Sequence, residues 1–141
     1  MRILLLGSAL SLGFSLFLTP LFIRLFASIG WGQFIRQDGP KTHYVKRGTP
    51  TMGGIVILLA IVFGYFTAHL IEGVPPSQSA LLVIGLMVGL GFVGFLDDYS
   101  KIRQQRSLGL SPRSKVIGQI LVSVTFAVLA VSFPDSDGQT P

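Results

Sequence analysis

The chain has 141 residues, of which 50% are hydrophobic and only 12% are charged, with a net charge of +5 at pH 7. A soluble domain usually carries about 25% charged residues, so this composition, with its apolar residues in long blocks, excludes an ordinary soluble domain and predicts a membrane protein. The absence of cysteine excludes a disulfide framework and a thiolate metal site.

Four apolar segments are each long enough to cross a bilayer, which takes about twenty helical residues. None carries a polar stripe at helical spacing, so we interpret them as spans and not as helices lying on the membrane surface. The first is longer than the apolar core of a signal peptide and has no small-residue cleavage site after it, which favours a retained helix. We predict an all-α polytopic fold, one transmembrane domain over residues 1–141, with spans at residues 3–27, 53–71, 79–96 and 116–133.

Two linkers are strongly basic, and alternating spans place both on the same side of the membrane. The turn after the second span and the tail after the fourth contain acidic residues but no Lys or Arg. By the positive-inside rule, we predict two basic cytoplasmic loops and both termini outside. Trp31 and Tyr99, near the cytoplasmic ends of their spans, are interpreted as interfacial anchors. The basic residues of the two linkers are Arg36, Lys41, Lys46 and Arg47, then Lys101, Arg103, Arg106, Arg113 and Lys115.

The third span is rich in glycine. Gly85 and Gly89 form a small-xxx-small pattern, which lets a second helix approach closely in a membrane. We therefore predict tight helix packing at these two positions, and no direct chemistry from them.

Two adjacent aspartates, Asp97 and Asp98, follow the third span. Near a helix C-terminus they would meet the negative end of the helix dipole, and they also repel each other, so a positive partner is needed. A divalent cation, Lys101 or both can supply it, since Lys101 shares the face of both aspartates if the helix continues. The plain alternative is a solvated helix end that marks the membrane boundary. Ionisable residues beside a bilayer are usually functional, and we predict a site here.

A second candidate site comes directly before the second span. Pro50 and the threonines beside it, Thr49 and Thr51, are typical of a helix start, with either threonine as the cap. Gly53 and Gly54 would let a ligand come close, and a helix N-terminus suits a phosphate. The alternative is a capped helix with basic residues at the membrane edge.

The predicted topology brings these two candidate sites to the same side of the membrane, because the second and third spans form a hairpin. An anion site beside two carboxylates suggests phosphoryl chemistry, in which Mg²⁺ bridges phosphate and carboxylate oxygens. The membrane location suggests that one substrate is a lipid. Ser111 and Pro112 are typical of the start of the fourth helix, from which Lys115 could reach toward a phosphate.

Three motifs occur in order: residues 46–54 read KRGTPTMGG, residues 94–101 read GFLDDYSK, and residues 110–119 read LSPRSKVIGQ. Together they resemble bacterial phospho-N-acetylmuramoyl-pentapeptide transferases, within the polyprenyl-phosphate N-acetylhexosamine-1-phosphate transferase superfamily. The resemblance covers the whole chain and implies the N-terminal portion of an enzyme of about ten membrane helices. The family has further spans, a third essential aspartate and a histidine-rich loop that this sequence lacks. We therefore expect the isolated chain to be inactive.

The resemblance implies transfer of phospho-MurNAc-pentapeptide from UDP-MurNAc-pentapeptide to undecaprenyl phosphate, with Mg²⁺, giving lipid I and UMP in peptidoglycan synthesis. It implies a multi-pass protein of the bacterial inner membrane with its site on the cytoplasmic face. The expected partners are both substrates and the bilayer, with a homodimer as one possible assembly and no nucleic acid. By resemblance, Asp97 and Asp98 are catalytic and help to hold Mg²⁺, either by activating the lipid phosphate or by direct attack. The expected substrate-binding residues are Lys46, Thr51, Lys101 and Lys115 by resemblance, with Gly53 and Gly54 from the helix-start pattern.

Three other functions stay open at this point. One is a transferase for another UDP-N-acetylhexosamine that uses the same aspartates. Another is a transporter or channel subunit in which the aspartates bind an ion, although such a site should lie nearer the middle of the membrane. The third is a non-catalytic membrane assembly partner, for which replacing Asp97 would cost little.

Overall fold

The structure is a computed structural model that describes residues 1–31, 52–105 and 108–132. Over these ranges the chain forms four α-helices and no strand, which confirms the predicted all-α fold. All four helices are long and apolar enough to cross a membrane, so the chain is a multi-pass membrane protein. The helices are α1 (Arg2–Ser28), α2 (Gly53–Glu72), α3 (Gln78–Arg103) and α4 (Pro112–Ser132).

The predicted boundaries of α1 and α2 agree with the structure to within one residue, but α3 is longer than predicted. The prediction ended the third span at residue 96, where charged residues begin, whereas the helix continues to Arg103. Its 26 residues extend about 39 Å, which exceeds the roughly 30 Å hydrocarbon core, so its charged last turns can lie beyond the hydrocarbon. Lys101 and Arg103 in the last turn also suit the helix dipole. Gln105, in the left-handed conformation with φ of 49°, follows the helix end.

Helix α4 also begins before its predicted span at residue 116. Ser111 caps it, because the Ser111 Oγ accepts a hydrogen bond of 3.2 Å from the Ser114 N–H. Pro112 then occupies the first helical position, where its missing N–H costs nothing. The Ser-Pro helix start predicted from the sequence is confirmed.

Helices α1 and α2 pack through small residues. The buried residues of α2 recur every four positions and so form one stripe along the helix. At its centre, a Cβ added to Gly64 would lie 2.7 Å from the backbone nitrogen of Ser11 in α1. Only glycine allows the two backbones to come this close, as is usual for helix pairs in membranes. The buried residues are Val56, Ala60, Gly64 and Ala68.

Helices α3 and α4 meet along a seam of glycine–valine contacts. A Cβ added to Gly89 would lie 2.7 Å from Val122 Cγ1, which confirms the close approach predicted there. One turn further along α3, Val93 faces Gly118 of α4, with 3.2 Å between its Cγ2 and an added Cβ. The structure does not show the packing predicted at Gly85, since no described atom lies within 4 Å of a Cβ added there. The seam therefore begins at Gly89 and leads toward the C-terminal end of α3.

The end of α1 contacts α3 through aromatic rings. Gly30, with φ of 76°, ends α1, and the Trp31 N–H donates a 2.8 Å hydrogen bond to the Phe26 carbonyl. The Trp31 ring stacks on Phe26 with 5.6 Å between centroids and lies edge-on to Tyr99 of α3 at 6.1 Å. The two residues interpreted as interfacial anchors therefore contact each other. This contact, with the α2–α3 hairpin and the α3–α4 seam, brings four helix ends together: the ends of α1 and α3 and the starts of α2 and α4.

Candidate functional site

The last two turns of α3 hold the predicted aspartate pair and its lysine. The Lys101 Nζ lies 2.9 Å from Asp97 Oδ2 and 2.7 Å from Asp98 Oδ1. The two contacts have the i,i+4 and i,i+3 spacings at which side chains share one face of a helix. They form because α3 continues past residue 96. Lys101 is therefore the positive partner that the two adjacent carboxylates require.

Helix α4 contributes a second lysine to Asp97. The Lys115 Nζ lies 3.0 Å from Asp97 Oδ1. The Leu110 N–H, one residue before the α4 cap, donates a 2.8 Å hydrogen bond to the same oxygen. Asp97 thus links α3 to both the start of α4 and the loop that precedes it.

Gly109 completes the surroundings of Asp97. A Cβ added to Gly109 would lie 2.7 Å from Asp97 Cγ and still closer to Oδ1, and a methyl group does not fit there. The loop backbone therefore lies directly against the carboxylate. The sequence motifs do not predict a role for Gly109 or Leu110. One feature of the sequence indicates such a contact. The linker between the charged end of α3 and the Ser111–Pro112 helix start is short, so the loop must pass close to α3.

The two aspartates differ in their surroundings. The Asp97 side chain is 13% exposed and is contacted by two lysines and one backbone N–H. The Asp98 side chain is 32% exposed, and among the described residues only Lys101 is seen to contact it. Asp97 is therefore held in one geometry, whereas Asp98 is open to a ligand.

The start of α2 is described from Met52 onward. Met52 occupies the cap position in the left-handed conformation, with φ of 71°. Thr49 and Thr51, predicted as caps, and Lys46 lie outside the described residues. Gly53 and Gly54 begin the helix, and no other described part of the chain lies within 4 Å of a Cβ added to either. The structure thus places them at the same end of the bundle as Asp97 without bringing them into contact with it.

The donor set at α3 suits a hard divalent cation in part. Two neighbouring carboxylates offer oxygen ligands, which Mg²⁺ prefers, and Asp98 has room for a further partner. No cluster of three or more His, Cys, Asp or Glu side chains occurs in the part of the chain that the structure describes. Sites for Mg²⁺ commonly use one or two carboxylates and take their remaining ligands from water and substrate phosphates. The pair therefore fits as a partial Mg²⁺ site that a phosphorylated substrate would complete.

Comparison with known proteins adds a family signature and close relatives. The signature described as phospho-N-acetylmuramoyl-pentapeptide-transferase signature 1 matches residues 46–58. Three bacterial proteins named phospho-N-acetylmuramoyl-pentapeptide-transferase align with the chain. The protein of Clavibacter michiganensis is 59% identical over 98% of this chain, that of Kineococcus radiotolerans is 57% identical over 100%, and that of Streptomyces avermitilis is 52% identical over 100%.

The alignments cover 39% of the Clavibacter protein, 39% of the Kineococcus protein and 40% of the Streptomyces protein. The chain therefore spans about two fifths of the length of these curated relatives. No solved structure matches it.

Proposed function

We propose that the chain belongs to the phospho-N-acetylmuramoyl-pentapeptide-transferase family and forms part of the active site of such an enzyme. The proposed reaction transfers phospho-MurNAc-pentapeptide from UDP-MurNAc-pentapeptide to undecaprenyl phosphate, forming lipid I and UMP in peptidoglycan synthesis. The observation that supports it best is the pair Asp97 and Asp98, bridged by Lys101 at the end of an apolar helix long enough to span a bilayer. A lipid phosphate held at the membrane surface could reach these groups.

In this proposal, Asp97 and Asp98 form the catalytic pair. A carboxylate of the pair takes the proton from the attacking phosphate of the lipid. The phosphate oxygen then forms a bond to the sugar-linked phosphorus, and the bond between the two phosphates of the UDP carrier breaks, so that UMP leaves. General-base catalysis of this kind contributes about 10²–10⁴-fold to a rate.

We assign a phosphate-binding role to Lys101 and Lys115. A lysine ammonium group has three N–H donors. Lys115 uses one of them on Asp97, so among its described contacts two remain for phosphate oxygens. The other proposed substrate-binding residues are Lys46, Thr51, Gly53 and Gly54, at the helix start that carries the family signature.

Mg²⁺ is the proposed cofactor, with Asp97 and Asp98 as its ligands in this chain. When bound, it neutralises charge on the transferred phosphate. The two neighbouring carboxylates support this position, because Mg²⁺ prefers oxygen ligands. The ion would share these oxygens with the Lys101 ammonium, or displace it from them; its Nζ lies 2.9 Å from Asp97 Oδ2 and 2.7 Å from Asp98 Oδ1.

We propose the inner membrane as the location, with both basic linkers and the site on the cytoplasmic face. The charge asymmetry of the linkers supports this orientation. The proposed partners are the two substrates and the bilayer, and a homodimer stays a prediction.

The test follows UMP release from UDP-MurNAc-pentapeptide, using the full-length gene product in detergent with undecaprenyl phosphate and Mg²⁺. We expect Asp97→Asn and Asp98→Asn each to lower kcat by at least about 10²-fold, because each removes a charge from the catalytic pair. Glu72→Gln is the matched control, since it removes a carboxylate from the opposite end of α2, and it should keep the wild-type rate. Omission of Mg²⁺ should also abolish turnover.

Two results would contradict the proposal. One is a folded wild-type protein that releases no UMP, or that prefers UDP-GlcNAc as donor, which would favour another transferase. The other is full turnover in both aspartate variants, which would remove the pair from the chemistry.

A further inference from the structure

We propose that the backbone of Gly109 and Leu110 acts as a clasp that positions Asp97 for the transfer reaction, using one carboxylate oxygen for positioning and leaving the other for chemistry. This inference rests on the proposed function, because it assigns Asp97 a catalytic role. Gly109 and Leu110 are positioning residues, since they act through Asp97.

The first support is the division of contacts between the two oxygens of Asp97. Oδ1 accepts the Leu110 N–H at 2.8 Å and faces the Lys115 Nζ at 3.0 Å. Oδ2 faces only Lys101, at 2.9 Å, among the described residues. Lys101 is also the group shared with Asp98, so Oδ2 lies on the side of the carboxylate pair. Oδ2 has one described contact and Oδ1 has two, so we assign the proton or metal chemistry to Oδ2.

The second support is the rigid attachment of the Leu110 N–H to α4. Ser111, the next residue, accepts the Ser114 N–H on its side chain at 3.2 Å and the Lys115 N–H on its carbonyl at 3.1 Å. The start of α4 thus fixes the backbone immediately after Leu110. Both donors to Asp97 Oδ1 belong to this one capped helix start or to the residue before it.

The third support is the steric requirement at Gly109. A Cβ there would lie 2.7 Å from Asp97 Cγ, well inside the 3.4 Å or more of an ordinary van der Waals contact. The same Cβ would lie 2.5 Å from the backbone carbonyl oxygen of Asp97, so a movement of the carboxylate alone would not admit a methyl group. The loop would have to shift relative to α3 by about 1 Å, and Asp97 would lose its present contacts with the loop. A displacement of about 1 Å at a reacting group can reduce a rate about 10²-fold.

The test compares Gly109→Ala with a matched control, Gly13→Ala, in the UMP-release assay. We expect Gly109→Ala to lower kcat by about 10²-fold and to change the KM for UDP-MurNAc-pentapeptide less than about threefold, because it displaces a reacting group and not the binding groups. Gly13→Ala, with no described atom within 4 Å of its added Cβ, should retain wild-type kcat.

A second variant covers the case in which Gly109→Ala does not fold. Ser111→Ala adds no bulk but loosens the α4 start, and we expect it to lower kcat measurably but less than Gly109→Ala does, because the Leu110 N–H is then held less firmly against Asp97. Wild-type kcat in Gly109→Ala, or in Ser111→Ala when Gly109→Ala is unfolded, would overturn the clasp.

A readout that needs no turnover separates this inference from the proposed function. The thermal midpoints of Gly109→Ala, Asp97→Asn and the double variant should be non-additive, because both changes disrupt the same contact. Additive shifts would overturn the clasp. If the shifts are non-additive but the Asp97→Asn variant keeps full turnover, Gly109 contacts Asp97 as described, and the catalytic role of Asp97 is overturned.

Discussion

The different surroundings of the two aspartates predict different costs of neutralising them. Asp97→Asn and Asp98→Asn change shape very little, so the difference between them reports the contacts of each carboxylate. The Asp97 side chain is 13% exposed, and neutralising it removes the negative charge from two ion pairs, with Lys101 and Lys115. The Asp98 side chain is 32% exposed, and neutralising it removes the charge from one ion pair, with Lys101.

The magnitude follows from these contacts. A charge-assisted hydrogen bond is roughly twice as strong as a neutral one, so each contact of Asp97 should lose about 1 kcal/mol when the charge is removed. The Leu110 N–H can still donate to the amide oxygen of asparagine, and relief of repulsion from Asp98 offsets a few tenths of a kcal/mol. We therefore expect Asp97→Asn to lower the free energy of unfolding by about 1.5–2 kcal/mol. Asp98→Asn, at an exposed pair, should lower it by about 0.5 kcal/mol.

The assay is equilibrium unfolding of the full-length protein in mixed detergent micelles, with sodium dodecyl sulfate as denaturant and Glu72→Gln as control. A double-mutant cycle of Asp97→Asn with Lys115→Gln should show a coupling of about 1 kcal/mol, because the two side chains share one ion pair. Equal costs for the two aspartate variants, or a larger cost at Asp98, would refute the reasoning. A coupling near zero would show that the Lys115 contact contributes nothing to stability.

Two further predictions concern helix packing. Gly64→Val places a side chain against the Ser11 backbone and should lower the free energy of unfolding by about 1–3 kcal/mol, as overpacking usually does. The control Gly13→Val faces open space among the described residues, and an equal loss there would contradict the packing argument. Trp31→Ala should couple to Tyr99→Ala by about 0.5–1.5 kcal/mol in an unfolding cycle, since the rings lie edge-on. Strict additivity of these two changes would leave Trp31 as a membrane anchor only.

The sequence predicted features that depend on local spacing or on span length. The apolar runs gave the bounds of α1 and α2, because bilayer thickness sets the length of a span. The spacing of Asp97, Asp98 and Lys101 predicted their shared face, which the structure confirms. The Ser-Pro start of α4 was also predicted, since its capping chemistry involves only neighbouring residues.

The remaining features depend on which elements meet in space. The role of Gly109 arises only because the loop folds back onto α3, which brings the Leu110 N–H to Asp97, thirteen positions earlier in the chain. The contact between Gly64 and Ser11 could not be predicted because an apolar helix surrounded by lipid shows no contrast between its packed and exposed faces. The sequence left open whether α3 continues past residue 96, because charge marks where the hydrocarbon ends and a helix can extend beyond it.

The seam between α3 and α4 determines which lysine meets Asp97. Its contacts pair Gly89 with Val122, Val93 with Gly118 and Asp97 with Lys115, so the ion pair continues the register of the apolar packing. Sliding α4 by a single residue would rotate its side chains by about 100° and turn Lys115 away from the carboxylate. Substitutions deep in the apolar seam can therefore misalign the charged site by shifting helix register, without touching a charged residue.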